Sequence, residues 1–269
     1  MGKSDYLGTY NGGQFWPLEK DKTDDIDIEA IATSLSHICR FAGHTKYTYT
    51  VAQHSLMVAD ILRNELYDEV KSNNLNIDLA VLIGLLHDTS EAYLSDICRP
   101  IKVYLKDYLD KESVIQLRIY KAFGISEEVF NEYWPIVSKS DNLALYAEAI
   151  ALMNPCDDWI RAGYDYFNNP ICKKYANKIG VNNPDIIKGK MLSKIYKLVK
   201  LLNLNLDIFN KLNIDESKLD KYIPIYMLGE LRYYFDESNE LLLYPNLEIS
   251  MSILNIRLIS DISEYIKYN

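Results

Sequence analysis

Apolar positions recur with a helical period along most of the chain. Ile28, Ile31, Ala32, Leu35, Ile38 and Cys39 share one face, and Asp27 stands before them as a helix cap. A polar, aromatic segment from Arg40 to Thr50 separates this helix from a second one. The second is predicted from near Val51 to about Leu66, with His54, Val58, Ile61 and Leu62 on one stripe. A third, from Asp78 to about Leu94, is apolar all round through Leu86 and so reads as a central, buried helix. Pro100 interrupts the pattern, and Lys102 to Phe123 is helical again. Gly124 is a stop, and Ser126 with Glu127 and Glu128 a restart. A helix from about Ile136 carries Asp141, Leu145 and Glu148 at heptad spacing, and Met153-Asn154-Pro155 ends it. Strands are expected only in a hairpin at Leu7–Trp16, turned by Asn11-Gly12-Gly13, and at Glu240–Tyr244.

The pattern therefore predicts an all-α fold, a helical bundle with a short N-terminal β-hairpin and a C-terminal helical extension. We divide it into residues 1–180, which carry the chemistry, and a mostly helical extension, residues 181–269. The extension opens with Leu192, Ile195, Tyr196, Leu198, Val199, Leu201 and Leu202 on an amphipathic helix. Lys188, Lys190, Lys194, Lys197 and Lys200 read as its solvated face.

Composition narrows the choice of function. The 269 residues are 48% hydrophobic and 25% charged, which excludes a disordered chain and a disulfide scaffold. A net charge of −9 argues against a general nucleic-acid coat or a polybasic membrane binder. The longest apolar run, Leu79 to Leu86, is too short to span a bilayer. Cys39, Cys98, Cys156 and Cys172 form no CxxC pair and read as reduced thiols. A cytoplasmic protein is expected, with no nucleic-acid or membrane partner; a homo-oligomer is compatible with this reading.

The chemistry concentrates in Leu85-Leu86-His87-Asp88. An imidazole and a carboxylate in the most apolar stretch cost several kcal/mol unless something pairs with them. A divalent metal would do so, with His54 upstream and Asp141 downstream as further ligands. Taken singly, His54 reads as a hydrogen-bonded core histidine and Asp141 as an N-cap.

Together the four residues resemble the H…HD…D signature of the HD-domain metal-dependent phosphohydrolases. The flanks sharpen the likeness. His87-Asp88-Thr89-Ser90-Glu91-Ala92-Tyr93-Leu94-Ser95-Asp96-Ile97, followed by Arg99-Pro100-Ile101-Lys102, is similar to the HD segment of bacterial 5′-deoxynucleotidases. Ala52-Gln53-His54-Ser55 resembles their histidine helix, and Ser140-Asp141 with Glu148-Ala149 their last ligand helix. Cys39-Arg40-Phe41-Ala42-Gly43-His44-Thr45 resembles a branch related to the phage dATP triphosphohydrolases. The likeness covers roughly Gly8 to Met153.

The resemblance implies one divalent metal on His54, His87, Asp88 and Asp141. Mn, Co, Ni or Fe suits the mixed ligands best, and Zn or Mg is compatible. It implies metal-activated water attacking a small nucleotide at phosphorus. Glu91 would be the general acid/base. Asp96 would stand by the sugar and leaving oxygen, or simply cap a turn. Arg40 would face the phosphate, its fork matching that anion; the structural alternative is that it pairs with an acidic neighbour and braces the loop. Phe41 stands where the nucleotidases carry tryptophan. His44 and Lys102 would complete the substrate side, with a turn-forming role and a solvated position as their respective alternatives. The expected activity is removal of the 5′-phosphate from deoxyribonucleoside monophosphates. The alternatives are a deoxynucleoside triphosphate triphosphohydrolase and a non-catalytic nucleotide sensor or interaction protein.

Overall fold

The structure, a computed structural model, describes residues 5–209 and, beyond them, the backbone of three strands. The N-terminal hairpin pairs β1 (Leu7–Gly8) with β2 (Gln14–Phe15), and the Asn11-Gly12-Gly13 turn places Gly12 at φ 82°. Asp27 caps α1 (Ile28–His37), its carboxylate accepting from the backbone N–H groups of Glu29 and Ala30 at 2.9 and 3.1 Å. Helix α2 (Val51–Asn64) starts in a capping box, in which Thr50 and Gln53 bond each other's backbone N–H. A short α3 (Tyr67–Ser72) leads to α4 (Ile77–Leu86), capped by Asn76. Then come α5 (Glu91–Leu94), α6 (Arg99–Lys102), α7 (Lys106–Ala122) and α8 (Glu127–Leu152).

Two boundaries differ from the sequence pattern. The predicted third helix stops at Leu86 instead of running to Leu94. Gln116 of α7 reaches in, donating to the Leu86 carbonyl at 2.7 Å and accepting from the Ser90 N–H at 3.0 Å, while the Thr89 hydroxyl also bonds Leu86. Side chains thus satisfy the helix's last groups, and the backbone tightens into i→i+3 turns through Glu91 and Ala92. The helix that carries Asp141 begins at Glu127, not near Ile136, and runs through Pro135. Proline there reads as a breaker, but packing holds both sides of it. The Tyr133 hydroxyl accepts from the Asn76 N–H, and Ile136 and Val137 are buried. Asp141 therefore lies mid-helix and is not an N-cap.

The core is continuous, formed by the facing sides of α1, α2, α4 and α8. Helices α4 and α2 approach closely at Gly84, where a Cβ would stand 2.6 Å from Leu62 Cδ1 and 3.3 Å from Val58 Cγ1. Three short helices follow α8: α9 (Asp157–Ala162), α10 (Tyr164–Phe167) and α11 (Pro170–Ala176). Helix α12 (Pro184–Leu201) lies past residue 180, yet Ile187, Met191, Ile195 and Val199 are built into the same core, against α1, α2 and α4. The amphipathic helix expected there is thus present. Further on, β3 (Tyr222–Leu228), β4 (Leu231–Asp236) and β5 (Leu241–Leu243) form an antiparallel sheet in that order. β5 lies within the strand expected at Glu240–Tyr244, and the pattern had not shown β3 or β4; the other residues past 209 lie outside the described ones. Among the described residues, no helix is long and apolar enough to cross a membrane.

Arg118 of α7 fastens the N-terminal segment to the bundle. Its buried guanidinium donates to both oxygens of Asp25 (2.8 and 3.0 Å) and to the carbonyls of Trp16 and Lys22. Replacing Asp25 with alanine would leave that charge without its carboxylate. We expect a loss of about 3–5 kcal/mol in denaturant unfolding. A loss below about 1 kcal/mol would mean that the pair behaves like a solvated surface bridge.

Candidate metal centre

Two helices and one turn bring the centre together. His54 comes from the second turn of α2, His87 and Asp88 from the tight turn after α4, and Asp141 from the middle of α8. His54 Nε2 lies 3.2 Å from His87 Nε2 and 3.1 Å from Asp141 Oδ1, and His87 Nε2 lies 4.0 Å from that oxygen. Asp88 Oδ2 adjoins both rings, at 3.1 Å from His87 and 3.7 Å from His54. Ligands bonded at ~2.1 Å to one ion stand about 3.0 Å apart at right angles and roughly 4.2 Å apart across it, so these spacings suit a single ion. His54, His87 and Asp141 each offer a ligand atom within 4.8 Å of the others, and Asp88, the fourth expected ligand, is not part of that group.

The hydrogen bonds behind the rings decide which nitrogen faces inward. His54 Nδ1 meets Glu148 Oε1 at 2.6 Å, and His87 Nδ1 meets the Gly84 carbonyl at 2.8 Å. Both partners only accept, so each Nδ1 donates and each Nε2 points into the same space. Two ring nitrogens 3.2 Å apart, with carboxylate oxygens beside them, favour positive charge between them, as a proton or as a metal ion. Burial and Arg40 both pull the His54 pKa down, but Glu148 and Asp141 outweigh them and hold it at about 9, so the carboxylates favour positive charge at this position. Burial pushes Asp88 and Asp141 up, yet the imidazoles keep both carboxyls below their ordinary range.

Glu91 is the contrasting group. It is 3% exposed, its Oε2 has no hydrogen-bond partner among the described residues, and its nearest cation, Lys102 Nζ, lies 3.7 Å from Oε1. Burial, then the charges of Asp88 and Asp96, push its pKa well above the carboxylate norm. The i→i+3 turn from Asp88 to Glu91 stacks the two side chains, which sets Glu91 above the centre. Half-buried Asp96 is also raised, by burial first; it follows Ser95, whose φ of 68° with ψ of 159° reverses the chain sharply.

On the other side, the chain makes a left-handed turn after Arg40. Phe41, Ala42 and Gly43 all have positive φ (56°, 51° and 78°). The turn is tied down by the His44 N–H on Phe41, the Lys46 N–H on Leu152 and the Arg40 N–H on Tyr49. It drives Arg40 inward, where Nε bonds Glu148 Oε2 at 3.0 Å and NH1 lies 3.6 Å from Asp88. The brace expected as the structural alternative is therefore present, and it uses Nε while the terminal nitrogens face the carboxylate side. The Phe41 ring covers the guanidinium, 5.5 Å from its carbon. His44 is exposed at the end of the turn, and among the described residues no hydrogen bond or ion pair ties its ring to the cluster. Lys102 is held between Glu112 Oε1 (2.5 Å) and Glu91.

The geometry adds three residues that sequence reasoning left out. Glu148 holds His54 and Arg40 together, and its heptad spacing from Asp141 was the available signal. Arg99, largely exposed, lies 3.6 Å from Asp141 Oδ2. Glu112 anchors Lys102, and no sequence signal pointed to it.

Residues 51–152, which hold both histidines and both aspartates, match the family model described as HD domain. Over these residues the chain is similar to an HD domain. Its relatives include the uncharacterized protein YfdR of Escherichia coli, 37% identical over 120 residues, covering 45% of this chain and 59% of YfdR. A 5′-deoxynucleotidase of Photobacterium profundum is 28% identical over 128 residues, covering 40% of this chain and 64% of that protein. One of Photorhabdus temperata is 26% identical over 137 residues, covering 45% and 66%. The chain thus spans less than two thirds of the length of these curated relatives.

If Glu148 sets the His54 tautomer, Glu148→Gln weakens divalent-ion affinity by roughly 10–100-fold while the helices stay folded. Competition titration of the ion and circular dichroism measure the two effects. Unchanged affinity would separate Glu148 from the HD centre.

Proposed function

We propose that this chain is a metal-dependent phosphohydrolase of small nucleotides that removes the 5′-phosphate of deoxyribonucleoside monophosphates. The observation that carries the reading is the pairing of a cluster that favours a cation with a buried carboxyl group, Glu91, whose Oε2 has no hydrogen-bond partner among the described residues. A hydrolase needs both, and a binding module needs only the first. The 5′-deoxynucleotidases among the relatives support the substrate class.

In this reading His54, His87, Asp88 and Asp141 hold one divalent ion, with Mn, Co, Ni or Fe favoured by two nitrogens and two oxygens. When bound, the ion supplies Lewis-acid chemistry, activating water and drawing charge from the phosphoryl group. The chain's own residues do the rest. Glu91, kept protonated by burial and neighbouring carboxylates, gives a proton to the leaving 5′-oxygen. Asp96 orients the sugar or relays the proton. Arg40, already charged and braced through Nε, offers its terminal nitrogens to non-bridging oxygens, so orienting the phosphate costs little further ordering. Lys102 balances the phosphate charge from the Glu91 side. Phe41 bounds the substrate against the guanidinium, and His44 stays a substrate-side residue by its place in the same turn.

Nucleoside and phosphate release from a panel of mono- and triphosphates, each with Mn, Co, Ni, Mg or Zn, tests the proposal. Release of triphosphate would move the activity to a triphosphohydrolase. No turnover with any pair would leave a nucleotide sensor. In the active pair, Glu91→Gln should retain bound metal and lose about 10²–10⁴-fold in rate, as expected for a lost general acid/base. Turnover within a few-fold of the parent would transfer that role to Asp96.

A further inference from the structure

The lysines of α12 do not form a plain solvated face. Lys188 is buried in a pair with Glu29 at 2.9 Å, while Lys190, Lys194 and Lys197 turn to the opposite side and line a cavity of about 500 Å³. Lys178, from the loop after α11, joins them. That volume is the size of a small-molecule site.

The cavity lies along a neighbouring flank of α2, apart from the candidate metal ligands. Gln53, Leu56, Met57 and Asp60 of α2 line it, and none of His54, His87, Asp88 or Asp141 does. Its chemistry is two-sided. Four ammonium groups stand at it against one carboxylate, Asp60, which pairs with Lys194. Lys190 and Lys197 have no hydrogen-bond or ion-pair partner among the described residues. The remaining wall is apolar and aromatic, including Tyr175 and Ile179. Ser193, 3% exposed, contributes a hydroxyl that bonds nothing among the described residues, although a helical serine ordinarily bonds back one turn. A buried, unsatisfied donor beside unpaired lysines is what an absent anionic ligand leaves behind.

We propose that this cavity is a second ligand site, for a nucleoside polyphosphate, with the phosphates on Lys178, Lys190, Lys194 and Lys197, a phosphate oxygen on the Ser193 hydroxyl, and the ring against the apolar wall of Leu56 and Ile179. An excess of three positive charges matches a di- or triphosphate better than a monophosphate. An apolar wall beside the charges separates a nucleotide from an inorganic anion. The site concerns binding alone and stands whether or not the hydrolytic reading holds.

Lysine footprinting of the full chain tests it directly. The probes are adenosine 5′-triphosphate, adenosine and inorganic triphosphate, each added before brief amine acetylation and mass spectrometry. The expected result is a several-fold fall in acetylation of Lys190 and Lys197 with the nucleotide, with exposed Lys106 and Lys200 unchanged. Inorganic triphosphate should protect only at higher concentration, and adenosine alone should not protect. The double substitution K190E/K197E touches no residue of the metal centre and should weaken nucleotide binding, measured by calorimetry, by about tenfold or more, with thermal stability retained. Equal protection by inorganic triphosphate would overturn the nucleotide assignment, and no protection at millimolar nucleotide would overturn the site. Neither result depends on turnover, so failure here is distinct from failure of the HD centre to hydrolyse its substrate.

Discussion

Glu148 is a carboxylate with no access to solvent, and groups from two distant parts of the chain meet on it. One oxygen takes the His54 N–H and the other takes Arg40 Nε. An ionised carboxylate in the core is tolerable only when so engaged. Burial alone would raise its pKa, and the charges of Arg40 and His54 hold it down instead. The constraint runs outward from there. It orients the His54 ring, which sets the direction of Nε2; it holds Arg40 beside Asp88; and it locks α8 against α2 at the level of the HD cluster.

The centre itself was legible before the fold was. Two histidines and two aspartates at wide spacing, with one His-Asp pair set in an apolar run, pointed to a candidate centre, because a polar doublet there is costly unless matched. Local punctuation was legible as well: Asp27, the Thr50–Gln53 box, Gly124 and Ser126 act through their immediate backbone. What escaped was tertiary. Gln116 ends α4 from thirty residues away, and packing of Tyr133, Ile136 and Val137 carries α8 through Pro135. The lysines of α12 look alike in sequence, and only the packing of α1 and α2 sorts Lys188 into a buried pair and Lys190 and Lys197 toward the cavity.

The turn clamped by Gln116 also shows how a helix end is used chemically. Had α4 continued as a regular helix, Asp88 and Glu91 would have stood about sixty degrees apart around its axis. The tighter i→i+3 turn stacks Glu91 over Asp88 instead, while Asp88 lies 3.1 Å from His87 Nε2. Gly84 ties this arrangement to the core: its carbonyl orients His87, and its missing side chain lets α2 close in with His54.

The left-handed turn at Phe41 and Ala42 has a consequence for engineering and for drift. Each non-glycine residue in that region costs roughly 1–2 kcal/mol, so the fold carries this strain next to Arg40. Glycine at either position would relieve it, and a screen for heat resistance alone would tend to select such changes. Relief would also widen the range of backbone angles that set where the guanidinium lies. Thermal robustness and precise anion placement would then pull in opposite directions at the same two residues.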